Sequence, residues 1–364
     1  MNRIFVGIAS VILLSLLSYS CQNKDEIKTT PVSSRALAPE EANGSFPYRR
    51  LSTYGFFEGE MHLLQPSEEL LFYAPASSLF TDYAHKSRYV YIPEGKKAVL
   101  TSSEIQLPEG SILVKNFYYP EEMNKPEGKR RIIETRLFIH EEKGWFAYPY
   151  VWNEEQTDAI LKIAGGSTEV HFVDEKGKDQ VINYVIPNKN QCKSCHNSNE
   201  QLAPIGIQPK HLNYEGEFGG ERINQLAYWI AEGKLEGNAD QLREIRALVN
   251  YQDEHQALPD RAMAYLDINC AHCHRPEGPA STSGLFLTFD QRDRLKLGIK
   301  KTPVAAGKGA GSFTFDIEPG QPEESIMIHR MNSTEVGVAM PEIGRTTVHQ
   351  EGVELIKAWI STLK

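Results

Sequence analysis

Two five-residue strings constrain this chain more than anything else in it: CKSCH at Cys192–His196 and CAHCH at Cys270–His274. With Cys21 they use all five cysteines of the 364 residues. Cysteines two residues apart can form a redox disulfide, half of a zinc site, or the attachment point of a covalent haem. A Cys₄ zinc ribbon places its pairs roughly 15–20 residues apart, and here a far longer segment separates them. A thioredoxin-like dithiol needs one pair and gives no reason for a histidine after both. Haem attachment uses every residue of the pattern, because each thiol forms a thioether to a porphyrin vinyl group and the next histidine is held beneath the iron. The sequence therefore predicts two covalently bound c-type haems. One is carried on Cys192 and Cys195 with His196 as axial ligand, the other on Cys270 and Cys273 with His274. His272, between the second pair of cysteines, is expected to be a solvent-facing spacer.

The N-terminus has one basic residue, Arg3, an apolar run from Ile4 to Leu17, and small residues before Cys21. This reads as an export signal over residues 1–20, too short to be a comfortable membrane span. Export also suits covalent haem attachment, which occurs outside the cytoplasm. Cys21, directly after the apolar run, resembles the acylated cysteine of bacterial lipoproteins, although Ser18 and Tyr19 depart from the usual pattern. Residues 21–48 are polar and aperiodic, as a flexible tether would be, and Lys24-Asp25-Glu26 resembles a surface-export signal of some envelope lipoproteins. The expected location is the bacterial cell envelope, tethered to the membrane by lipid and facing the periplasm or cell surface. A net charge of −9 and no basic cluster argue against nucleic acid as a partner.

Between residues 49 and 190 the chain is rich in β-branched and aromatic stretches: RYVYIP, SILVKNFYY, RRIIETRLFIH, GWFAYPYVW, TEVHFV and QVINYVI. Turn material separates them, so this region is expected to be an antiparallel β-rich domain. Its last strand runs into the first CxxCH motif, which should dock on the sheet with residues 191–255 as a first haem-binding segment. His211 is the nearest histidine after that motif and is the candidate second ligand of the first iron. Residues 256–364 read as helix, haem motif, loops and closing helix, with Asp260 as the expected N-cap of the first helix. The expected fold is therefore α+β: the β-rich domain followed by mainly α-helical haem domains.

The order of elements in residues 256–364 resembles the cytochrome c domain. That resemblance implies a second axial ligand from a loop before the last helix, and Met340, followed by Pro341, stands there. A β-rich domain ending in a haem motif also resembles, weakly, the cytochrome c′-β family and its relatives in which a lysine is crosslinked to haem, which would turn Lys115 toward the haem. From residue 50 onward, strings such as LFTDYAHKSRYVYIP, NQCKSCHN and RAMAYLDINCAHCHRPEGPASTSGL resemble a family of exported diheme c-type cytochromes of largely unassigned role. The function implied is electron transfer between redox partner proteins of the envelope. No catalytic triad or paired-carboxylate motif stands out. The alternative is a haem enzyme, peroxidase-like or another oxidoreductase, using an open position on the first haem.

Overall fold

Residues 46–364 are described by the computed structural model of the chain; the expected export signal over residues 1–20 and Cys21 lie outside them. Ten strands follow one another in the first half: β1 (Leu70–Phe72), β2 (His85–Tyr91), β3 (Ala98–Leu100), β4 (Ile105–Gln106), β5 (Ile112–Pro120), β6 (Arg130–Glu141), β7 (Gly144–Trp152), β8 (Ala159–Leu161), β9 (Gly166–Val173) and β10 (Asp179–Ile186). Six of them make one sheet in the order β1-β2-β5-β6-β7-β8, every neighbour antiparallel. β9 and β10 form a separate hairpin. Its turn is set by Asp174, whose carboxylate accepts the Lys176 and Lys178 amides, and by Gly177 at φ 76°, a left-handed conformation that costs glycine little.

β5 and β6 are buried on both faces, so β5 is mostly apolar, while β6 buries the polar Glu134 and Thr135 among its apolar residues. On one face Ile112, Val114, Leu137, Ile139 and Tyr150 pack with Leu51 and Phe56 from the chain that precedes the sheet. On the other, Val90, Leu113 and Phe138 pack against Cys192, Leu212, Leu226 and Trp229. The segment carrying the first motif thus covers the second face of the sheet.

Seven helices are described: α1 (Lys189–Cys195), α2 (Pro209–Leu212), α3 (Gln225–Ala231), α4 (Ala239–Glu244), α5 (Leu258–Asn269), α6 (Ile326–Met331) and α7 (Gln350–Ser361). The expectation of a mainly helical haem region is overturned. The described chain is β-rich with few helices, and between α5 and α6 residues 270–325 run as turns, short 3₁₀ segments and bridges. Local turn bonds carry that stretch, such as Gly278 N–H to Arg275 O (3.0 Å) and Gly298 N–H to Leu295 O (2.9 Å), so its backbone is satisfied without continuous helix. Asp260 is not the N-cap of α5 either. Ala257 holds that position, and Asp260 sits in the first turn, where its charge complements the helix dipole.

α5 and α7 cross through a core of Met263, Leu266, Ile268, Val353, Ile356 and Ile360. Gly352 is required there, because a Cβ would overlap the Tyr265 hydroxyl and ring. The described residues belong to one compact unit, Asn43–Lys364. Among them, no helix is long and apolar enough to cross a membrane.

Candidate functional site

Each CxxCH segment is delivered by a helix whose start is locally encoded or well packed. α1 begins in a capping box: the Asn188 side chain accepts the Gln191 amide (2.9 Å) and the Gln191 side chain accepts the Asn188 amide (2.9 Å). It ends at Cys195, with the His196 amide bonded to Cys192 O (2.9 Å). α5 ends at Asn269, and the His274 amide bonds to Cys270 O at the same 2.9 Å. The two motifs share this closing bond, although Cys192–Cys195 lie inside α1 and Cys270–Cys273 beyond the end of α5. Gly278 keeps the chain close behind the second one, since a Cβ there would collide with the Cys273 backbone.

Both motifs open on one cavity of about 1210 Å³. That exceeds the roughly 300–1,000 Å³ of ordinary small-molecule sites. Cys192, Cys195, His196, Cys270, Cys273, His274 and Met340 all line it. The His196 Nδ1–H donates to Ala203 O (3.0 Å), and His274 Nδ1 lies 3.5 Å from Ser283 Oγ. In both rings, Nε2 makes no hydrogen bond among the described residues. Burial keeps both imidazoles neutral, His196 with its pKa down to about 3 and His274 down to about 4. A buried neutral imidazole anchored through Nδ1 presents Nε2 as a metal ligand, the usual outer-shell arrangement of a metal-binding histidine.

The motifs also touch each other. Cys273 Sγ lies 3.8 Å from Ser194 O, and the ligand atoms of Cys195, His272 and Cys273 fall within 4.8 Å of one another. Hydrogen bonding from Cys273 and proximity to His272 bring the Cys195 thiol down to about 5, whereas burial pushes Cys270 up to about 12. His272 is consequently no solvent-facing spacer: it lines the cavity at the meeting point of the two loops, and its Nδ1 is buried without a partner. All four cysteines of the motifs are free thiols, so this cluster is also chemically able to take a single metal ion.

His211 is placed elsewhere. It lies 2% exposed on α2, outside the cavity lining, with Nε2 3.0 Å from Asp267 Oδ1 on α5. Asp267 also receives Lys210 Nζ (2.6 Å) and the Phe289 amide (2.8 Å). Burial would raise this carboxyl, yet the bonds from His211 and Lys210 hold it at about 2. The imidazole that spacing made a candidate iron ligand is thus an anchor for the helix leading to the second motif.

Met340 does face the cavity, with Met327 and Met331 also in its lining. Its loop is fixed from two sides. Arg345 Nη2 donates to the Met340 (2.8 Å) and Ser333 (2.8 Å) carbonyls, and the Asp82 carboxylate accepts the amides of Thr346 and Thr347 (both 2.8 Å) and their hydroxyls. Sequence reasoning missed Arg88 and Arg136, which line the cavity beside Lys115. Each looks like an ordinary strand cation until the register shows which face it takes. In comparisons, no family model, curated protein or solved structure matches this chain.

Proposed function

We propose that this chain is an exported diheme c-type cytochrome that passes electrons between redox partner proteins of the cell envelope, held at the membrane by lipid on Cys21. The observation that carries the reading is that two CxxCH segments, each closed by a His N–H to Cys carbonyl bond and each with a neutral histidine anchored through Nδ1, open on one shared cavity and touch at Cys273 and Ser194. The donor set fits the group: Cys192 and Cys195 would hold one haem with His196 on its iron, and Cys270 and Cys273 the other with His274 and Met340. Bound there, the haems would supply reversible one-electron exchange. The protein keeps the imidazoles unprotonated, excludes water with Phe138, whose ring lies 4.7 Å from that of His196, and fixes the Met340 loop.

The test is pigment quantitation on mature protein made with a cytochrome maturation system. Two haems per chain that resist acidified acetone are expected, and one in a Cys192→Ala/Cys195→Ala variant. A colourless or extractable product overturns the reading, and one tightly bound metal ion per chain would instead assign the Cys195–His272–Cys273 cluster.

A second reading, a haem enzyme, is favoured by the surroundings of His196. His211 is engaged by Asp267, and the methionines lining the cavity all come from residues 327–340. An open position on the first haem follows from that reading, and carbon monoxide or peroxide reactivity assigned to the first haem would establish it. A low-spin centre inert to both would exclude it.

A further inference from the structure

The register of the large sheet places three cations in one row. Arg88 on β2 pairs with Lys115 on β5, and Lys115 pairs with Arg136 on β6. Directly paired residues project to the same face, and all three line the cavity. The next row on that face is apolar, Val90, Leu113 and Phe138, with Phe138 against His196. Charge and grease thus alternate across the floor beneath the first motif.

Among the described residues, one carboxylate serves this row. Glu134, fully buried, takes Arg136 on two bonds (2.9 and 2.5 Å) and the Tyr184 hydroxyl (2.7 Å). Arg88 is 8% exposed, and its side chain makes no hydrogen bond or ion pair among the described residues. Lys115 Nζ has none either; its contact is the face of the Phe117 ring, 4.8 Å from the centroid. Lys86, on the row beyond, bonds only to Ala84 O (2.8 Å). Burial and the neighbouring Arg88, Lys86 and Arg136 all drive Lys115 toward its neutral form, pulling its pKa well down. Cations placed side by side on a buried floor without counter-charge are costly unless something anionic completes them.

We infer that Arg88, Lys115 and Arg136 form an anion-binding site in the cavity, beside the first CxxCH motif, for a small oxoanion or a carboxylate. Arg88 offers a planar fork and Lys115 a point charge, while Arg136 is oriented by Glu134; the set matches a tetrahedral or planar oxoanion. The carboxylate has two sources, a free anion that enters the cavity or the carboxylates of the group proposed on the first motif, and only the latter rests on the haem reading.

Inorganic phosphate is the probe, titrated calorimetrically at low ionic strength into the mature full chain and into its Cys192→Ala/Cys195→Ala variant. Saturable one-to-one binding to the mature chain identifies a free-anion site. Binding only to the variant identifies a site filled in the mature protein from the first motif. In whichever chain binds, Arg88→Gln and Lys115→Met should each weaken phosphate by at least about tenfold, and Lys143→Met on the exposed β6–β7 turn should not. Thermal melts guard against misfolding: Lys115→Met removes a half-buried amine without a hydrogen-bond partner, so without phosphate its midpoint should equal or exceed that of the parent, and phosphate should no longer raise it. Saturable binding in neither chain, or binding indifferent to both substitutions, overturns the inference. Pigment quantitation on the same samples reports separately on the haem reading.

Discussion

The two CxxCH segments are near copies in sequence and share a closing hydrogen bond, yet their settings are opposite. The first rests on a sheet whose facing rows are cationic and aromatic. The second ends a helix in an aliphatic core and faces a loop bearing Met340. One motif serves both because it only has to hold two sulfurs and an imidazole. The remainder of each site's chemistry is set by what the fold brings opposite: charge on one side, a thioether on the other. On the proposed haem reading, a polar, positively charged setting and a thioether-bearing one would tune an iron centre differently, so the comparison predicts two unequal centres.

The largest effect is expected where the difference is greatest. Met340→Ala should lower one of two reduction potentials by roughly 0.1 V or more, within the ≈ 0.8 V range that axial ligands span, and leave the other unmoved; protein-film voltammetry would read both. Equal movement of both potentials would dissolve the distinction between the sites. Gly352→Ala should destabilise the chain by about 3 kcal/mol through overlap with Tyr265, measured by denaturant unfolding. Asp82→Asn should cost about 2 kcal/mol, because an amide has one carbonyl oxygen to accept the donors from residues 346 and 347. It should also soften the Met340 side, seen as loss of the methionine signature in the spectrum while the first centre stays intact.

The smallest effect concerns pH. His349 is stacked on Phe80 (4.2 Å between centroids) and shares a hydrogen bond with Tyr265 (3.1 Å); burial brings its pKa from 6.5 down to about 4. A depressed histidine pKa means that the unfolded state takes up the proton first. Its contribution to stability is therefore full above pH 6.5 and declines as pH falls toward 4. Between pH 6 and pH 5 the decline is roughly 1 kcal/mol. His349→Gln should remove that slope from a plot of unfolding midpoint against pH.

The sequence disclosed what depends on neighbours in the chain. The six β-branched stretches are strands because their side chains suit a pleated, buried surface. What escaped depends on distant pairing. The row of Arg88, Lys115 and Arg136 exists only once the register of three strands is known. His211 seemed available until Asp267, from a different helix, engaged it. The helical expectation for residues 256–364 failed for a related reason: the motif and its flanking helices were legible, but the long connection between α5 and α6 is held by scattered turn bonds that leave no periodic signature.

The Asp82 clasp has a bearing on how the chain is assembled. During synthesis this carboxylate leaves the ribosome long before Thr346 and Thr347 exist, and it must remain hydrated until they arrive. Closing so wide a loop is entropically slow, so the turn made early and the segment made late should join near the end of folding. A chain interrupted shortly before residue 346 would carry both CxxCH motifs and still leave the Met340 strap unfastened.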